Sequence, residues 1–198
     1  MKITTTGSGI FLLEGKQTAV VLIPSCEHTK VPVPRQNHLR LITSVQLPID
    51  QSRLSQEVLG LPGEYEVFGV SVHGVQLSRI KTDRVVSIKT AFVFVVDDVT
   101  CCVLPEGLAL VDPDELDQVP EVQLLFVSVD SFDKNIFEQF SKALEPKVLI
   151  PFSPSNDTSK IEAFCKTRGI STPLYLQEYT VTGADMQGVE DKVVLIES

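Results

Sequence analysis

The chain is 198 residues long, and 17 basic against 26 acidic side chains leave a net charge of −9. This balance excludes the phosphate-neutralising footprint of a nucleic-acid binder and attraction to an anionic membrane surface. With 43% hydrophobic residues the chain is not disordered. A chain of this size buries roughly 70% of its unfolded surface, so residues 1 to 198 can fold as a single domain without a disulfide or metal staple. Cys26, Cys101, Cys102 and Cys165 form no C-x-x-C pair. Neighbouring Cys101 and Cys102 point to opposite faces of a strand, which suits neither a zinc knuckle nor a disulfide framework. Reduced thiols, no apolar leader after Met1 and a longest apolar run of only Ala91 to Val96 predict a soluble cytoplasmic protein.

In chain order, Gly9 to Gly15 and Thr18 to Ile23 read as two strands of a hairpin. Pro24 to His38 is a prolyl loop, His38 to Thr43 a strand, and Gln51 to Leu59 has room for one short helix. After the Leu61-Pro62-Gly63 turn, Glu64 to Val75 is β-branched and aromatic, with bends or bulges expected at Gly69 and Gly74. Arg84 to Val96 and Val99 to Leu104 form a second hairpin about Asp97-Asp98. Val122 to Val129 is continuously apolar, as in a strand buried on both faces. Helical spacing then sets Ile136, Phe137, Phe140, Ala143 and Leu144 on one face after Asp133. A second helix starts at the Asp157 cap, carries Ile161, Phe164 and Cys165, and ends at Gly169. Lys147 to Phe152 is the strand between the helices, and Lys192 to Ile196 closes the chain. Strands first and strand–helix alternation later argue for α/β layers. The core is expected at Phe11, Val20, Leu41, Val67, Val93, Leu125, Phe137, Phe140, Ile150, Phe164 and Leu195.

Candidate chemistry is sparse. His28 and His38 flank the prolyl loop without partners at ligand spacing, and read as surface or strand-end residues. Glu64, Glu66 and Glu106 could supply carboxylates to a hard cation, with His73 on the following strand. Two glutamates on one strand face are more simply solvated. Asp112-Pro113-Asp114-Glu115 reads as a helix start with a capping box rather than an acid–base cluster. Gly7-Ser8-Gly9 is a turn with no helix behind it to hold a phosphate. Ser153 and Cys101 are nucleophile candidates without an identifiable base.

Three segments carry a resemblance: Met1-Lys2-Ile3-Thr4 with Gly7 and Phe11-x-x-Glu14-Gly15, Leu61-Pro62-Gly63-Glu64-Tyr65-Glu66-Val67-x-Gly69-Val70, and Leu144-Glu145-Pro146-Lys147-Val148-Leu149-Ile150-Pro151. Their order and spacing resemble the metallo-β-lactamase-fold proteins, in the compact branch related to the ascorbate-phosphate lactonases. The resemblance implies a four-layer αββα sandwich of two mixed sheets with helices outside. It also implies a zinc hydrolase whose ligands come from His-x-His-x-Asp-His, a further His, a bridging Asp and a last His. At those positions this chain has Ser44, Gln46, Pro48 and Ile49, then Arg79, Glu106 and Ser153. Only Glu106 is a conservative replacement. The expectation is a vestigial cleft at these seven residues, with no catalytic residue, metal or cofactor, and a binding, structural or protein-interaction role. The partner is left open between a second copy of this chain and another protein. The competing reading is a metal-dependent hydrolase of a small ester, lactone or phosphate-bearing substrate with a relocated site using Glu106. Because Pro48 and Ile49 pack more readily than they bind polar groups, a filled cleft is expected over an open pocket for a small polar ligand.

Overall fold

The structure is a computed structural model, and it describes residues 1–25, 31–47, 57–82, 85–107, 121–170 and 175–197. In chain order its strands are β1 (Lys2–Thr5), β2 (Phe11–Glu14), β3 (Thr18–Ile23), β4 (Asn37–Ile42), β5 (Ser44–Leu47), β6 (Val58–Leu59), β7 (Gly63–Val67), β8 (Val70–Lys81), β9 (Val86–Val96) and β10 (Val99–Val103). Then follow β11 (Leu124–Ser128), helix α1 (Lys134–Leu144), β12 (Val148–Phe152), helix α2 (Thr158–Thr167), β13 (Tyr175–Leu176), β14 (Tyr179–Thr180), β15 (Lys192–Val193) and β16 (Leu195–Ile196). One sheet runs β14-β1-β2-β3-β4-β6, and the other runs β15-β12-β11-β10-β9-β8-β7. β5 pairs with the remaining length of β9, and β13 pairs with β16.

The sheets pack face to face because alternation puts one apolar face of each strand inward. Phe11 of the first sheet stands edge-on to Phe126 and Phe152 of the second, with ring centroids 5.1 and 5.4 Å apart. The opposite face of the second sheet, including Val93, Leu125 and Leu149, packs against Phe137, Phe140 and Leu144 of α1 and Phe164 of α2. Asp133 caps α1 by accepting from the amides of Asn135 and Ile136 at 2.9 and 3.0 Å. Asp157 caps α2 through Ser159 N at 3.0 Å. Of the expected core, Val67 alone is half-buried, resting against the intersheet cluster, while the other ten are buried. Among the described residues no helix is long and apolar enough to cross a membrane.

Three elements differ from the sequence expectation. The bend expected at Gly69 is a full reversal, Phe68 and Gly69 at φ 52° and 76° making the tight turn between β7 and β8, whereas Gly74 sits in regular pairing with Gly63 and Phe92. The bulge falls instead between Gln76 and Ser78. The closing strand divides, with Lys192–Val193 joining β12 and Leu195–Ile196 leaving to pair with β13. Most of the expected helix over 51 to 59 lies outside the described residues, and the part described ends in β6. The 112 to 115 capping box, His28 and Cys26 also lie outside them.

Strands β10, β11 and β12 run parallel. Their carboxyl ends therefore share one edge of the sandwich, the edge where open α/β sheets gather their functional groups. Glu106, Asp130 and Ser153 follow these three strands.

Candidate functional site

At this edge the chain passes from one sheet to the other through a single residue. Thr43 lies between β4 and β5, and it is buried. Its amide donates to Ile23 O at 3.0 Å, its hydroxyl donates to Pro24 O at 3.0 Å, and its carbonyl accepts from Thr90 N at 2.9 Å. The backbone groups of the crossing are thus satisfied by one sheet on each side, and its hydroxyl by the residue after β3. Ser44 and Gln46 then continue as strand, facing Lys89 and Ser87 of β9. Ser44 is half-buried and Gln46 exposed, while Val45 between them is buried. The positions where the resemblance places imidazoles are strand positions here. Pro48 and Ile49 lie outside the described residues.

Register separates Arg79 from Ser44. Lys89 is opposite both Ser44 on β5 and Ser78 on β8, so these three side chains share a face. Arg79 is opposite Ile88, which is also opposite Val45, so Arg79 belongs to the other face and is exposed. The bulge before Ser78 sets this phase.

Lys89 reaches from that row to the end of β10. Its ammonium donates to Glu106 O at 2.8 Å and Gly107 O at 2.9 Å. Gly107 is at φ +63°, which favours glycine, and a Cβ there would stand 2.8 Å from Lys89 Nζ, so a larger residue would make the ammonium shift. The carboxyl of Glu106 accepts from Ser131 Oγ at 3.4 Å.

Ser153 is buried and fully engaged. Its hydroxyl donates to Asp130 Oδ1 and accepts from Asp157 N at 2.9 Å. Ser155 N donates to Asp130 Oδ2 at 2.7 Å, and Lys160 Nζ lies 3.6 Å from Asp130 Oδ1. Burial works to raise the Asp130 pKa, but the hydrogen bonds from Ser153 and Ser155 and the charge of Lys160 outweigh it and hold it below the usual carboxylate range. With both Asp130 oxygens engaged by Ser153, Ser155 and Lys160, the arrangement is a clamp joining β11 to the turn before α2. Asp130, Ser131 and Lys89 escaped the sequence reading. The available signals were position just past an apolar strand, for the first two, and a lone charge inside one, for Lys89.

A metal centre needs three or four N, O or S donors converging. Among the described residues no three His, Cys, Asp or Glu side chains do so. Glu64 and Glu66 project into solvent from β7, Glu64 lying 3.8 Å from His73 Nδ1. His38 Nδ1 lies 3.3 Å from its neighbour Gln36 O. Cys101 and Cys102 are buried, and burial pushes the Cys102 thiol up to about 12, so neither offers a thiolate at neutral pH. The residues present do not fit the zinc site that the resemblance implies.

The described surface also holds an open cleft of about 360 Å³ beside this edge. Ser153 lines it, while Ser44, Gln46, Arg79 and Glu106 do not.

Sequence comparison finds no matching family and no matching curated protein. Comparison with solved structures does find matches. A metallo-β-lactamase superfamily protein from Thermotoga maritima superposes with a TM-score of 0.69 at 19% identity, over 99% of this chain and 98% of that one. CmlA, a diiron β-hydroxylase from Streptomyces venezuelae, gives 0.58 at 10% identity over 91% of this chain and 54% of its own length. Igni18, a metallo hydrolase from Ignicoccus hospitalis, gives 0.54 at 10% identity over 91% and 99%. The chain has the metallo-β-lactamase fold, the αββα class expected from its sequence.

Proposed function

We propose that this metallo-β-lactamase-fold chain is non-catalytic and acts by binding, as one domain and in the cytoplasm. What supports the reading most is Lys89, whose ammonium is bonded to the backbone carbonyls at the end of β10 and stands in one row with Ser44. A fixed cation at the edge where zinc ligands are expected repels a second cation and removes the need for one. Ser44, Gln46 and Ser153 offer hydroxyl and amide groups, which bind zinc far less well than imidazole or thiolate. Glu106 keeps a carboxylate, and its hydrogen-bond partner is a serine.

Elemental analysis of protein purified without chelator tests this. The expected result is metal far below one equivalent, with no hydrolysis of small ester, lactone or phosphoester probes above buffer. Near-stoichiometric zinc or manganese, with hydrolysis lost on chelation, would establish the relocated metal-dependent hydrolase instead.

A further inference from the structure

The cleft beside Ser153 lies between the turn joining β1 to β2 and the loop joining β12 to α2, with β13 and β16 behind it. Its walls are locked together across 148 residues. Ser8 N donates to Asn156 Oδ1 at 2.8 Å, and Asn156 Nδ2 donates to Ser8 Oγ at 3.3 Å. Both residues are left-handed, at φ 52° and 58°, a conformation that costs energy outside glycine and here shapes the two rims. Between them Gly9 lies so close to the Phe152 ring that a Cβ would sit 2.6 Å from it. The cleft is therefore a built concavity, open before any ligand arrives, which spares the cost of organising it on binding.

Its chemistry is specific. Its lining combines buried Phe11 and Phe152 and half-buried Ile161 with half-buried Tyr175 and exposed Thr158 and Glu197. Among the described residues that line it there is no lysine or arginine, and the one charged group is the Glu197 carboxylate. An anion would enter against that carboxylate and the net charge of −9 without a counter-cation. A carboxylate acceptor, hydroxyls able to donate or accept, and apolar lining residues suit a molecule with hydroxyls at its rim and C–H groups on its face. Burial and the nearby Glu162, Cys165 and Glu197 raise the Tyr175 pKa, and a phenol hydroxyl can donate or accept. The volume is at the lower end of the roughly 300–1,000 Å³ usual for small-molecule sites, which admits one sugar ring and excludes a dinucleotide.

We infer that this cleft binds a neutral polyhydroxyl molecule of monosaccharide size, an inference that rests on the non-catalytic reading above and supplies its ligand class. The test is an amide-resolved NMR titration of the full chain with methyl α-D-glucopyranoside, D-ribose and myo-inositol into the millimolar range, and separately with inorganic phosphate. At least one polyol is expected to shift the Ser8, Asn156 and Thr158 amides saturably, with phosphate leaving them unmoved. Thr158→Trp places an indole in the cleft from an exposed position and is expected to weaken that binding about tenfold or more with an unchanged thermal midpoint. Should this variant fail to fold, Asn156→Gly keeps the left-handed backbone, removes the rim amide and is expected to weaken binding likewise. The inference is overturned if no polyol saturates these amides, if phosphate does so, or if the folded variant binds as before. Methanol released from the glucoside by the wild type would overturn the non-catalytic reading and leave the ligand class standing.

Discussion

Lys89 is the sole charged side chain between Val86 and Val96, in a strand otherwise built to be buried. Such a charge persists only where its donors find partners, and here two backbone carbonyls take two of the three. Lys89→Met keeps the aliphatic stem, removes the ammonium and leaves both carbonyls short of a partner. It is expected to cost about 1–3 kcal/mol, read from urea unfolding; an unchanged midpoint would show that the bonds contribute nothing net. Asp130 works in the opposite sense of charge. Its folded pKa is held below the unfolded value, which lies near 3.9. A carboxylate of this kind contributes stability that is present above the unfolded pKa and lost as pH falls through the folded one. Asp130→Asn is therefore expected to cost about 1–3 kcal/mol at pH 7, with the gap to wild type closing as pH falls below about 4. Urea unfolding of both proteins across that range checks it, and a gap independent of pH would mean that the clamp acts through shape alone.

Elements differ in how clearly their residues announce them. The β9–β10 hairpin was legible because two strongly apolar runs bracket Asp97-Asp98, and both aspartates adopt the left-handed conformation of a two-residue turn, at φ 50° and 62°. The β7–β8 turn was not, since a bulky phenylalanine at φ 52° is an improbable turn residue and Gly69 alone reads equally well as a bulge. Lys192 to Ile196 misled for another reason: strand propensity is local, whereas the choice to leave the sheet after Val193 depends on Tyr175 and Leu176 nearly twenty residues earlier. The left-handed turn also has an expected consequence. Asp97 earns its place by accepting from Lys16 N at 3.1 Å, but Asp98 is exposed and supplies only strain. Asp98→Gly is expected to stabilise the chain by about 0.5–1 kcal/mol, seen as a higher thermal midpoint, because glycine adopts this φ without steric cost. A lower midpoint would mean that the entropy of an extra glycine outweighs the relief.

Across the whole molecule the sandwich was readable because alternation and helical spacing are properties of contiguous residues, as Phe11, Phe126 and Phe152 meeting between the sheets bears out. The edge was harder to read. Which face Arg79 takes depends on a bulge, and which charge stands in the row with Ser44 depends on a lysine from a different strand. Both are register effects that no local pattern encodes. They decide the outcome of rebuilding the site. A variant carrying Ser44→His, Gln46→His, Pro48→Asp, Ile49→His, Arg79→His, Glu106→Asp and Ser153→His restores every ligand type that the resemblance implies. In this fold, residues 44 and 46 are held as strand against β9, position 79 belongs to the opposite face from 44, and Lys89 keeps its charge in the row beside them. Position 153 lies in the Asp130 clamp, where a histidine also breaks the hydrogen bonds that seat α2. The folded variant is expected to carry zinc well below one equivalent by elemental analysis, and to gain zinc when Lys89→Met is added, because an ammonium beside the site opposes a divalent cation by Coulomb repulsion. Stoichiometric zinc with Lys89 intact would mean that β5 gives way to a ligand loop, and that the lysine is no barrier to the metal.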